Sequence, residues 1–66
     1  MSIAVLGAGA FGTSLAISLS QSGNPVTLIA RNEKHAADMR DMRVNRQRLP
    51  NAQLPDSLQV SDSLDR

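Results

Sequence analysis

Three glycines at spacings of two and three, Gly7, Gly9 and Gly12, separate a short apolar run from a stretch of helix formers. Glycine inside a helix costs about 0.5–1 kcal/mol relative to alanine, so this spacing calls for a mechanical reason. The run before it, Ile3 to Gly7, has no polar alternation and suits a strand buried on both faces, as in a parallel sheet. After it, Phe11, Leu15 and Leu19 recur every fourth residue. Gly12, Ala16 and Ser20 form a small-residue stripe on the same segment, suited to close approach to a sheet. The spacing predicts a helix from Phe11 to Ser22, stopped by Gly23.

A second β-branched run, Val26 to Ala30, follows Pro25, where a missing N–H is tolerable. Asn32 is placed to cap a helix from Glu33 to about Val44, with Met39 and Met42 on its apolar side. Arg40 and Arg43 lie near its C-terminal end, where cations favour the helix dipole. Pro50 and Pro55 bracket a stretch expected to be irregular, and Leu58 to Val60 reads as a short third strand. Asp62, with Asp65 three residues on, is expected to open a further helix. The order is strand, helix, strand, helix, strand. That is the N-terminal βαβαβ part of an α/β, Rossmann-type doubly wound parallel sheet.

In such a fold each glycine has a task. Gly7 permits the tight turn out of the strand, and Gly9 removes a side chain where backbone approaches a pyrophosphate. Gly12 lets the helix pack on the strand, and the helix N-terminus offers free N–H groups to phosphate. The strand before, the helix after and the second strand ending about 20 residues later make the context of a dinucleotide-binding turn. No Gly-Lys-Ser/Thr follows, which excludes a nucleoside-triphosphate loop. At the tip of the second strand an acid would accept from the ribose 2′-hydroxyl of NAD, whereas an arginine pairs with the 2′-phosphate of NADP. Arg31-Asn32 stands there, which favours NADP and tolerates NAD.

Bulk properties narrow the rest. Sixty-six residues make at most one small domain, and chains near this size bury only about 60% of their unfolded surface. Residues 1–66 are therefore expected to be the N-terminal part of a dinucleotide-binding domain, the remainder and the substrate domain lying elsewhere. There is no cysteine, and one histidine without a ligand cluster assigns no metal. A net charge of +1 does not argue for nucleic acid. All charged residues lie from Arg31 onward, but the uncharged first half lacks the basic start of a secretion signal. Nothing approaches the roughly 18 unbroken apolar residues of a membrane span, and a cytoplasmic location is expected. His35 falls on the second helix, away from the strand tips, and reads as a solvated surface residue rather than a catalytic base. Thr13 and Ser14 read as helix solvation, the segment Arg40, Arg43, Arg46 and Arg48 as a solvated helix end and loop, and the methionines as core.

The chain resembles the N-terminus of bacterial NAD(P)-dependent glycerol-3-phosphate dehydrogenase. "IAVLGAGAFGTSLA" is similar to that family's glycine motif and "VTLIARN" to its second strand. More distinctive is "MRVNRQRLPNAQLPDSLQVSDSL", with Asn45 and the pairs Leu49-Pro50 and Leu54-Pro55 at the family's spacing. Ile29 stands where the family has tryptophan, Asn32 where it has an acid, and Asn51 where it has glycine. The resemblance implies reduction of dihydroxyacetone phosphate to glycerol 3-phosphate with NAD(P)H, reversibly, feeding phospholipid synthesis. It implies cofactor contacts at Ala10, Phe11 and Arg31, with catalytic and substrate-binding groups beyond residue 66. It leaves a homo-oligomer open. "VTLIAR" is also similar to ketopantoate reductase, which lacks the double Leu-Pro segment. A nucleotide-sensing module without chemistry is the reading from a different class, because fold alone does not separate the two.

Overall fold

A computed structural model describes residues 2–62. Its elements are β1 (Ile3–Leu6), α1 (Ala10–Gln21), β2 (Val26–Ile29), α2 (Glu33–Met42), β3 (Val44–Asn45), β4 (Leu49–Gln53) and β5 (Gln59–Ser61). Strands β1, β2 and β5 form a parallel sheet in the order β1-β2-β5. The helix expected to open at Asp62 lies outside the described residues.

The central strand, β2, is the most deeply buried one, with only Thr27 partly exposed. Val26, Leu28, Ile29 and Ala30 are all buried, as a strand flanked on both edges and covered on both faces requires. The first strand departs from the reading that it is buried on both faces. It pairs with β2 alone among the described residues, Val5 is its one buried side chain, and Leu6 is 65% exposed.

Small residues bring α1 onto the sheet. Thr13, Ala16 and Ser20 are its buried positions, so the small-residue side faces inward and Phe11 and Leu15 face out. Ser20 also shares a 2.8 Å hydroxyl–hydroxyl hydrogen bond with Ser57 in the turn before β5. On α2, Ala36 and Met39 are buried, and Met39 joins Leu28, Leu54, Leu58 and Val60 in the main core; Met42 is half-exposed instead.

Helix α2 stops two residues short of Val44. Arg43 takes a left-handed conformation (φ 55°) as its C-cap, and Val44 begins a new strand. The segment around Pro50, expected to be irregular, is β4, paired antiparallel with β3 through Val44–Gln53 and Asn45–Leu49. Proline is tolerated there because β4 has one partner strand among the described residues and a register shift interrupts the ladder. The third parallel strand is displaced one residue from the expected Leu58–Val60, to Gln59–Ser61.

Candidate functional site

Parallel pairing of β1 with β2 brings their C-terminal ends to one edge of the sheet, in register Leu6 with Ile29. The glycine loop leaves from the first and Arg31 from the second. Gly7 has φ +93°, a conformation that side chains rarely adopt, and its N–H donates to the Ile29 carbonyl at 2.9 Å. A Cβ on Gly12 would overlap the Gly7 carbonyl oxygen, so α1 approaches the strand end as closely as a glycine permits.

Gly9 is different. Its φ is −77°, which any residue adopts, and a Cβ built there meets nothing within 4 Å. The chain itself gives no reason for glycine at this position. Gly9 is the N-cap of α1 and supplies no side-chain cap, so the first N–H groups of the helix are left for other partners.

A cavity of about 330 Å³ opens over this loop. Its lining combines Gly7, Ala8 and Gly9 with Arg31, His35 and Arg48. The lining carries two arginines and no carboxylate, a balance suited to an anionic ligand. An adjoining depression of about 670 Å³ adds Lys34, and also Asp38 and Arg46, which pair with each other. The hydrogen bond from Arg46 to Asp38 and the carboxylate's charge hold the guanidinium pKa above its ordinary value. Such an exposed pair adds little to stability.

Three residues read as solvated are committed to the structure. Thr13 is fully buried and its Oγ1 accepts from Asn45 Nδ2 at 2.7 Å. His35 is half-buried, its Nε2 lies 2.9 Å from Asn45 Oδ1, and it stands in the cavity wall. Arg43 donates from Nη2 to the Pro55 and Leu58 carbonyls, each at 2.6 Å. The basic segment is thus largely tied down, since Arg40 also donates to the Val60 carbonyl at 3.2 Å. Arg48, exposed, is the member that reaches the cavity. Ala10 and Phe11 are exposed in the first turn of α1, Phe11 at 82%.

Residues 2–66 match the family model described as the NAD-dependent glycerol-3-phosphate dehydrogenase N-terminus. The chain belongs to that family. It is 55% identical over 64 residues to a glycerol-3-phosphate dehydrogenase (NAD(P)+) of Ruegeria sp. (strain TM1040), covering 97% of this chain and 20% of the relative. It is 51% identical over 63 residues to the protein of that name from Corynebacterium glutamicum (strain R), covering 96% and 19%. The crystal structure of glycerol-3-phosphate dehydrogenase from Coxiella burnetii superposes with a TM-score of 0.90 at 38% identity, over 96% of this chain and 19% of that one. The chain therefore spans about a fifth of the length of these relatives.

The double Leu-Pro segment, which set this family apart from ketopantoate reductase in the sequence, is structural. Leu54 is buried and its N–H donates to the Arg43 carbonyl at 2.8 Å, closing the β3–β4 hairpin against α2.

Proposed function

We propose that residues 1–66 are the N-terminal part of the dinucleotide-binding domain of a glycerol-3-phosphate dehydrogenase. The enzyme interconverts dihydroxyacetone phosphate and sn-glycerol 3-phosphate, and its product feeds glycerophospholipid synthesis. The single observation that carries the cofactor reading is Gly9, whose missing side chain leaves open space beside a basic cavity rather than relieving any contact within the chain.

The residues present fit a dinucleotide. Gly7 makes the turn, and Gly9 leaves room for the pyrophosphate. Gly12 seats the helix whose N-terminal N–H groups, at Ala10 and Phe11, meet it. Arg31 meets the adenosine ribose, and its charge favours the 2′-phosphate of NADP while NAD is tolerated. When bound, NADPH supplies the hydride. This chain's residues bind and orient the cofactor, and none of them is assigned a catalytic role. A cytoplasmic location is part of the same proposal. A sensing module without chemistry has no observation in its favour.

Gly9→Val tests this reading. The backbone angle at Gly9 accepts valine and nothing in the chain opposes its side chain, so folding is expected to survive. In the complete enzyme, titration of NADPH fluorescence should show saturable binding that the substitution removes. Near-normal affinity in the valine variant would overturn the assignment of this loop.

A further inference from the structure

A side-chain amide far along the chain reaches the glycine loop. Asn45 is fully buried, and its Nδ2 donates to the Ala8 carbonyl at 2.8 Å and to Thr13 Oγ1 at 2.7 Å. Its Oδ1 accepts from the Arg48 N–H at 3.2 Å and lies 2.9 Å from His35 Nε2. The orientation of this amide is not interchangeable. A carbonyl only accepts and a backbone N–H only donates, so Nδ2 must face Ala8 and Oδ1 must face Arg48. His35 then donates from Nε2, and both amide hydrogens and both oxygen lone pairs of Asn45 are in use.

The consequence falls on the peptide joining Ala8 to Gly9. In a trans peptide the C=O and the following N–H point in opposite directions. With the Ala8 carbonyl held inward, the Gly9 N–H is turned away from Asn45. That N–H has no partner among the described residues. Ala8 and Gly9 both line the basic cavity.

We propose that Asn45 is a positioning residue for the cofactor: it pins the Ala8 carbonyl and so presents the Gly9 N–H, ready-oriented, to the pyrophosphate. The proposal rests on the dinucleotide reading above. Without the clamp, the peptide must be ordered on each binding event, and that cost is subtracted from affinity. The pyrophosphate is common to NADPH and NADH, so the two cofactors depend on the clamp alike.

The test uses steady-state kinetics of the complete enzyme. Asn45→Ala should raise the KM for NADPH and for NADH about tenfold each, leaving the KM for the phosphorylated ketone substrate where it was. Thr13→Val keeps the side-chain volume and removes only the hydroxyl that holds the second amide hydrogen. It should raise both cofactor KM values about threefold, and it carries the test if the Asn45 variant does not fold. Unchanged cofactor KM values, with loss only of thermal stability or of active enzyme, would overturn the proposal and make Asn45 purely structural. A rise confined to NADPH would also overturn it, tying Asn45 to Arg48 rather than to the loop. The dinucleotide reading fails separately, by Gly9→Val binding as the unsubstituted enzyme does, whereas failure of the clamp alone leaves Gly9→Val defective and Asn45→Ala normal.

Discussion

At the tip of β2 two adjacent residues have different commitments. The side-chain oxygen of Asn32 accepts from the N–H groups of Lys34 and His35, at 2.8 and 3.1 Å, and so caps α2. Arg31 is exposed, lines the cavity and makes no such bond among the described residues, and in the proposed reading its guanidinium meets the cofactor's ribose. Arg31→Asp should therefore move cofactor preference from NADP toward NAD. The carboxylate repels the 2′-phosphate and accepts from the 2′-hydroxyl, and one lost charged hydrogen bond is worth about 1.5–3 kcal/mol. The ratio of kcat/KM for the two cofactors in the complete enzyme measures it, and an unchanged ratio would remove Arg31 from ribose recognition. The roles of Gly7 and Gly12 were legible in the sequence because each answers a local steric demand. Those of Thr13 and His35 were not, because their partner, Asn45, is brought to them only by folding.

The element that sequence periodicity missed is the β3–β4 hairpin. Its strands are too short and too polar to show alternation, and its pairing is broken by a register shift. Arg43, which ends α2 in the left-handed region just before β3, donates to the Pro55 and Leu58 carbonyls in the segment that follows β4. The hairpin and the approach to β5 are thereby fastened to the same residue. Arg43→Ala removes both bonds and should lower stability by at least about 1.5–3 kcal/mol, the range for a single hydrogen bond to a charged donor. The denaturation midpoint of the complete enzyme reads the effect, and an unmoved midpoint would mean that these bonds contribute nothing net. Arg43→Lys, which keeps a charge but not the planar fork, should fall between the two.

At the scale of the molecule, the parallel sheet has two edge strands among the described residues, β1 and β5. Leu6 at the end of β1 is 65% exposed, and Phe11 and Leu15 on the outer side of α1 are 82% and 40% exposed. An unpaired parallel edge beside apolar side chains invites association. Apolar burial at about 25 cal/mol/Å² offsets about 1.5 kcal/mol of ordering per residue only marginally at this size. Residues 1–66 produced alone should therefore melt with weak cooperativity, associate as concentration rises, and turn over no dihydroxyacetone phosphate with NADPH. A sharp transition independent of concentration, followed by calorimetry or circular dichroism, would contradict the first two expectations. Measurable turnover would contradict the last.

The order of the main elements, the turn at Gly7 and the close contact at Gly12 are determined by the sequence itself. Strand and helix periodicity and the steric freedom of glycine act over a few residues, and every residue involved is visible in one short stretch. Asn45 stood out in the sequence only by its spacing from the Leu-Pro pairs. Its burial depends on acceptors 37 and 32 residues away in the chain, at Ala8 and Thr13. The tertiary structure alone decided that this amide, rather than a neighbour of the loop, sets the direction of the Ala8 carbonyl. A polar side chain enters a core only when all its hydrogen bonds are met there, and those partners are assembled by the packing of α1, α2 and the hairpin around it.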